Sequence, residues 1–335
     1  MTQPFLSITI PTYNRAARLD HCLSMVAARI AELPADHPPI EVLVVDNAST
    51  DDTAAVAAKQ AGRFSQFRYE RNERNLGIDG NIHRCSQLAQ GYWIQLLSDD
   101  DLMVPSALTI IMERLRQYDD ADFLFLNVIS FTDELPLPND YVPRLQIKED
   151  VICKDGNKLI ETCHIWLTFL TSFVFRREAW NRSAALESHI GTDIYLSYAL
   201  VDLLSKANKS VVVAQPLVAA RAHFSGSYRI FYAFGHQWTE LLIRYAPSIG
   251  FDARRMRSVL LRTVREDLLL RVIYYRAKGK NLTPEERVSI FHSVQGLSWP
   301  AVLLWIAAAT PQTLVNAAVT ALRQARRALR TVHHR

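Results

Sequence analysis

The chain is short of the residues that staple or punctuate unusual folds. Its four cysteines, Cys22, Cys85, Cys153 and Cys163, form no CxxC pair and show no zinc-ligand spacing. That excludes a secreted disulfide scaffold and leaves free thiols in a reducing compartment as the reading. No stretch reaches about 18 consecutive apolar residues, so no spanning helix is expected. The opening MTQPFLSITIPTYN has no basic region followed by a long apolar run. No signal peptide is expected, and a cytoplasmic location follows. Glycine is missing from Pro11-Thr12-Tyr13-Asn14, the turn after the first apolar run. A dinucleotide-binding G-x-G-x-x-G is therefore absent where a Rossmann dehydrogenase needs it. No internal repeat and no low-complexity run is present. Acidic residues are wholly absent from 287–335.

What is present describes a folded protein. Of 335 residues 49% are apolar and 21% charged, which is incompatible with a disordered chain. The net charge of +4 hides an uneven distribution. Residues 1–130 carry −6, residues 131–248 balance, and residues 249–335 carry +10. An acidic front and a basic tail suit different partners.

The first hundred residues alternate between two periods. Phe5–Thr12 is apolar and β-branched; Arg15–Leu33 places Leu19, Leu23, Val26, Ile30 and Leu33 at helical spacing. Ile40–Val45 is a buried-strand run, Thr53–Gly62 an alanine-rich helix, and Phe67–Arg71 a third strand. Asn81–Gln90 reads as a helix and Tyr92–Leu97 as a fourth strand. This alternation predicts an α/β fold with a mostly parallel sheet covered on both faces. Beyond it, Ala121–Phe131, Phe169–Phe175 and Ser210–Ala222 read as strands, Asp133–Asp155 as loop and hairpin, and Ile194–Leu204 as a helix. From Ile230 onward the pattern is helical, with a soft boundary near 230.

Ligands of open parallel sheets bind beyond the carboxyl ends of the strands. Three polar clusters fall there: Thr12-Tyr13-Asn14, Asp46-Asn47 and Ser98-Asp99-Asp100-Asp101. Adjacent carboxylates repel, and a bound cation relieves the repulsion; hard oxygens suit Mg²⁺ or Mn²⁺. The competing reading is an acidic loop capping a helix that starts near Pro105.

The segments ITIPTYNRAARLDHCL, EVLVVDNASTDDT, ERNLGIDGNI and GYWIQLLSDDDLMVPSAL resemble successive motifs of glycosyltransferase family 2. Within it, the Ser-Asp-Asp-Asp run is similar to that of abequosyltransferase-like O-antigen sugar transferases. The resemblance is dense over 5–110, thinner over 165–230 and absent after about 235. It implies the A-type glycosyltransferase (GT-A) fold over 1–230, with a nucleotide-sugar half (1–110) and an acceptor half (111–230), followed by a helical region (231–335).

The resemblance also implies roles. Thr12, Tyr13 and Asn14 match the nucleotide-binding turn, and Asp46 the carboxylate that hydrogen-bonds the base. Asp100 falls on the second aspartate of the metal-binding Asp-x-Asp motif. Asp99 then reaches the ribose or sugar or holds metal-bound water, and Asp101 has the same alternatives. Ser98 stands where many relatives carry the first aspartate. Arg71, Arg74 and Asn75 fall in the loop closing over the base. Asp193, in His189–Asp193, matches the general base, and a plain helix cap is the alternative. Arg221 and His223 match an Arg-x-His-x-x-Ser segment, in which the histidine ligates the metal or holds the diphosphate, and an exposed loop histidine is the alternative.

The implied activity is metal-dependent inverting transfer of a hexose or deoxyhexose. The donor is a nucleoside-diphosphate sugar, with UDP implied by family frequency and CDP or dTDP as alternatives. The acceptor is a glycan or lipid-linked saccharide of bacterial-type surface polysaccharide synthesis, and the cofactor Mn²⁺ or Mg²⁺. Two rivals differ. A sugar-nucleotide pyrophosphorylase would carry a glycine-rich loop where Pro-Thr-Tyr-Asn stands. A non-catalytic nucleotide-sugar or glycan-binding module would retain the site without turnover.

The tail is apolar at Trp299–Ala309, with a tryptophan at 299 and at 305, and carries Arg323, Arg326, Arg327 and Arg330 on a second helical pattern. Such a segment suits the headgroup layer of an anionic membrane. Docking of 298–335 on the inner face of the cytoplasmic membrane is one expectation; packing on the core or a second subunit is the other. Interleaved aromatics and recognisable motifs are lacking, so nucleic acid is not expected.

Overall fold

In a computed structural model the described residues are 3–131, 141–183, 187–221 and 229–294, with 307, 308, 310, 311, 313, 314, 316 and 317 beyond. His223 and almost all of the 298–335 segment lie outside the described residues. The chain divides into two compact units, 1–228 with 249–251, and 229–248 with 252–335.

The first unit is built on a nine-stranded sheet. Its strands are β1 (Leu6–Thr12), β2 (Ile40–Asp46), β3 (Gln66–Arg71), β4 (Trp93–Leu96), β5 (Leu102–Met103), β6 (Phe123–Phe131), β7 (Val151–Cys153), β8 (Phe173–Arg176) and β9 (Ser210–Arg221). They lie in the order β3-β2-β1-β4-β8-β6-β9-β5, with β7 also paired to β9. The pairs β3–β2, β2–β1, β1–β4 and β6–β9 are parallel. β8 runs antiparallel between β4 and β6, and β5 and β7 run antiparallel to β9. The expected α/β class with a mostly parallel sheet is what the chain adopts.

The continuous apolar runs follow from coverage of both sheet faces, which removes the polar alternation of a half-solvated strand. α1 (Ala16–Ala31) buries Leu19, Cys22, Leu23 and Val26, and Pro34 follows its end. α2 (Thr53–Ala61), α3 (Gly77–Leu88) and α4 (Ala107–Gln117) complete the crossovers; α5 (Gly156–Cys163), α6 (Arg177–Asn181) and α7 (Tyr195–Lys206) follow. The core gathers Ile8, Ile10, Val42, Val44, Leu97, Leu124 and Val211 with the buried faces of α1 and α4. Gly91 marks a close approach: a Cβ there would lie 2.5 Å from the Ser7 nitrogen. All four cysteines are free and buried.

One expected strand is corrected. Phe169–Phe175 is not extended throughout: a 3₁₀ turn occupies Leu170–Ser172, and β8 starts at Phe173. The turn is stabilised by Thr171, whose hydroxyl donates to Asp101 and accepts from the Ser98 amide. A straight strand could not deliver both bonds at the end of β4, so tertiary polar contacts override the aromatic and β-branched propensity.

The second unit is helical. Its first helix runs through Tyr232–Gln237, Trp238–Glu240, Leu241–Tyr245 and Ala246–Ser248, with π-type turns in the first and third pieces. A second comprises Ala253–Thr263, a π turn Val264–Leu268 and Leu269–Ala277. Pro284–His292 starts at a capping box, in which the Thr283 hydroxyl accepts from the Glu286 amide and the Glu286 carboxylate from the Thr283 amide. Among the described residues no helix is long and apolar enough to cross a membrane.

Candidate functional site

Parallel register sets the first part of the site. Thr12 is the lateral partner of Asp46, and Asp46 of Arg71. Three strand ends thus present a hydroxyl, a carboxylate and a guanidinium side by side. The Asn47 amide continues the line by donating to the Thr12 carbonyl at 2.9 Å. Asn14, with φ +50, accepts the Thr50 amide on Oδ1 at 2.7 Å, while its own amide donates to Ser49 Oγ at 2.8 Å. Tyr13 between them is exposed. The turns after β1 and β2 are therefore locked into one polar rim.

Asp46 is fully buried at the base of this rim. It accepts the Ser49 amide at 2.9 Å and the Tyr69 hydroxyl at 2.6 Å, and lies 3.5 Å from Arg71 Nε. Burial and the bond to Asp46 raise the Tyr69 pKa, so the phenol stays a proton donor. Any further donor to Asp46 uses its remaining lone pairs.

An asparagine network shapes the loop after β3. Asn47 Nδ2 donates to Asn75 Oδ1 at 2.9 Å, and Asn47 Oδ1 accepts from Asn72 and from the Leu76 amide. Asn75 Oδ1 also accepts the Gly77 amide, whose φ of +74 suits glycine. Arg71 and Arg74 flank this loop and, with Gly80, His83, Arg84 and Ile190, line an open cavity of about 880 Å³.

The aspartate run folds back onto β1 and α1. Thr12 Oγ1 donates to Asp99 Oδ2 at 2.8 Å. Arg15 Nη1 lies 2.8 Å from Asp99 and 3.2 Å from Asp100, and Arg18 Nη1 lies 2.9 Å from Asp100. The Ser98 hydroxyl donates to Asp100 Oδ1 at 2.7 Å. Asp101 accepts Thr171 Oγ1 at 2.5 Å and the Arg221 amide at 3.2 Å. Arg221 Nε donates to the Asp100 carbonyl, and its guanidinium lies over the Phe131 ring. Burial raises the Asp99 pKa against the pull of Arg15. Burial, then the Asp100 charge, pushes Asp101 up to about 7.

Neither helix-cap reading survives. α4 starts at Ala107 with Ser106 as its cap residue, away from the aspartate run. α7 starts after Ile194, so Asp193 is not its cap. Asp193 instead sits at φ +65, half-exposed, in a turn held by a residue that sequence reading passed over. Asp79, buried in the first turn of α3, accepts the Gly191 amide at 2.9 Å and the Asp193 amide at 2.8 Å. Burial raises its pKa. The structure thus brings together Thr12, Asn14, Asp46, Arg71, Asn75, Asp99, Asp100, Asp101 and Arg221, and ties Asp193 to the start of α3.

Polar loops at the carboxyl ends of a mostly parallel sheet, with an aspartate run beside the first, define an open-sheet α/β protein that binds its ligand at the strand ends. The chain matches glycosyl transferase family 2 over residues 7–178, slightly more than half its length, and belongs to that family. Abequosyltransferase RfbV of Salmonella typhimurium is 25% identical over 228 residues, covering 64% of this chain and 66% of that protein. An uncharacterized protein of Mycobacterium tuberculosis is 35% identical over 114 residues, covering 34% of this chain and 33% of its own. The matches thus span a third to just under two thirds of these relatives. The structure of S. aureus TarS 1–349 in complex with UDP-GlcNAc aligns with a TM-score of 0.61 at 15% identity, covering 96% of this chain and 92% of that one. The shared fold is the GT-A fold.

Proposed function

We propose that this protein transfers a sugar from a nucleoside-diphosphate donor to a hydroxyl of a glycan or lipid-linked acceptor, with inversion at the anomeric carbon. The observation that carries the reading is the interlocked rim, in which Thr12 joins Asp99 while Asp46 gathers Tyr69 and Arg71. Asp46, Tyr69, Arg71 and the asparagine-braced loop hold the nucleoside.

The aspartate run fits a hard divalent cation. Its donors are carboxylate oxygens, and among the described residues Asp101 has no cationic side chain within ion-pair distance. Asp100, with Asp99 and Asp101 beside it and His223 from the Arg-x-His segment, would hold Mn²⁺ or Mg²⁺. Bound there, the ion would offset the negative charge that grows on the departing diphosphate. Arg15 and Arg18 keep the Asp100 carboxylate oriented.

Asp193 takes the acceptor hydroxyl proton while that oxygen bonds to the anomeric carbon. The bond to the diphosphate oxygen breaks on the opposite face, and its electron pair leaves with the nucleoside diphosphate. Asp79 fixes the backbone that aims Asp193. A single displacement with a base and no protein nucleophile inverts the anomeric configuration.

The acceptor belongs to surface-polysaccharide synthesis in this reading, and 298–335 docks on anionic membrane. Incubation with a panel of UDP-, CDP- and dTDP-sugars with and without Mn²⁺ tests it through nucleoside diphosphate release. Metal-stimulated release from at least one donor supports the reading. Nucleotide binding without release from any donor overturns it in favour of a binding module. Flotation on anionic liposomes tests the membrane part: equal flotation of the full chain and a truncation before Ser298 removes it.

A further inference from the structure

Three side chains of the C-terminal unit meet one another. His236 lies in the π turn Tyr232–Gln237, Glu240 follows four residues later, and His292 ends Pro284–His292. One ligand atom from each lies within 4.8 Å of the other two. His292 Nε2 and Glu240 Oε1 are hydrogen-bonded at 2.5 Å. The imidazoles of His236 and His292 stack at 4.2 Å between centroids. Among the described residues, the other groups facing the cluster are Arg244, 3.2 Å from Glu240 Oε2, and the Tyr232 ring, stacked on His236 at 5.5 Å. The side chains of His292 and Glu240 are 16% and 22% exposed, so an ion can enter and still be largely enclosed.

The backbone beneath them is fixed. A Cβ on Gly235 would lie 2.6 Å from the Ser289 carbonyl, so the two helices touch main chain to main chain beside the cluster. The Thr239 hydroxyl donates to the Gly235 carbonyl, the Trp238 indole to Thr263, and the capping box anchors the far end of Pro284–His292. A π turn inside a helix is a frequent companion of functional sites.

We propose that His236, Glu240 and His292 form a zinc site that staples Pro284–His292 to the Tyr232–Glu240 helix. Two imidazole nitrogens and one carboxylate are a zinc donor set, and imidazole disfavours magnesium and calcium. A fourth position is left for water. Zinc takes the place of the hydrogen bond between His292 and Glu240, whose proton is released to solvent. Their contact then opens by roughly 1 Å, because ligands about 2.0–2.1 Å from a tetrahedral ion sit farther apart than a hydrogen bond allows.

The test is zinc binding by the full chain, prepared without a histidine tag and with His333 and His334 changed to alanine. Equilibrium dialysis with elemental analysis is run with magnesium in excess, so that the aspartate run is occupied by a hard ion. The expected result is one zinc per chain, with affinity lowered by about tenfold or more in His236→Ala, His292→Ala and Glu240→Gln. Zinc is also expected to raise the unfolding temperature of the parent and not of the variants. Glu240→Gln retains size and hydrogen bonding, so it decides the matter if the histidine variants fail to fold. Absence of zinc from the parent, or equal affinity in parent and Glu240→Gln, overturns the proposal.

Discussion

Asp79→Asn tests how the candidate base is aimed. The Asp79 carboxylate accepts two backbone amides, from Gly191 and Asp193, in a turn where both residues have positive φ. A hydrogen bond to a charged group contributes about 1.5–3 kcal/mol. Both amides meet the same oxygen, Oδ2, so an asparagine that places its oxygen there keeps both bonds but loses their charge assistance. Against that loss stands burial, which disfavours the charged carboxylate and raises its pKa; a neutral amide escapes this cost. The net destabilisation is about 1–2 kcal/mol, or about 2–8 °C in a unit of this size. The sign with pH follows from the raised pKa. The stability Asp79 adds is complete below its unfolded value of 3.8 and is lost as pH rises through the elevated folded value. The gap between parent and variant therefore narrows toward neutral pH. Held by weaker, uncharged bonds, the turn misplaces Asp193, and turnover falls about 10–100-fold while nucleotide affinity stays unchanged. Donor turnover, nucleotide titration and thermal unfolding at several pH values read all three effects. Parent-like turnover in a folded Asp79→Asn protein would refute the clamp.

Other substitutions separate the parts of the site. Asp193→Asn is expected to lower turnover by about 10²–10⁴ with donor binding retained, as measured by nucleoside diphosphate release beside calorimetric nucleotide titration. Asp100→Ala is expected to abolish metal-stimulated transfer, and an active Asp100→Ala enzyme excludes the metal role assigned to it. Tyr69→Phe removes the 2.6 Å bond to buried Asp46; a loss of about 1–3 kcal/mol in stability and weaker nucleotide binding are expected from unfolding and titration curves. Asp101, pushed up to about 7, favours the folded state when protonated. Its contribution is complete below about pH 4 and is lost as pH rises to about 7, so Asp101→Asn flattens the unfolding temperature across that window in metal-free buffer.

The rim was legible because each of its parts is local: an apolar run sets a strand, and the polar residues after it fall at its carboxyl end. Thr12, Asp46 and the aspartate run follow from that rule alone. Arg15 and Arg18 were also within reach, since Arg15 caps α1 and Arg18 lies in its first turn, directly after the turn that meets the carboxylates. What stayed hidden is non-local. Asp79 reads as an ordinary acidic residue in a helix's first turn until Asp193, 114 positions away, closes on it. The antiparallel insertion of β8 between β4 and β6 depends on pairing that no periodicity encodes. His236 and His292 come together across 56 residues of helical pattern, and neither shows a partner in sequence. Buried charge in the strands was equally invisible: Glu41 sits in an apolar run and is satisfied by Ser7, Arg68 and the Gln90 amide.

A crystal structure of the protein with UDP and Mn²⁺ addresses the rim most directly. The uracil should lie against Asp46, Tyr69 and Arg71, with the ion beside Asp100 touching the diphosphate. Nucleotide bound elsewhere on the sheet, or a diphosphate with no ion near Asp100, would contradict the account.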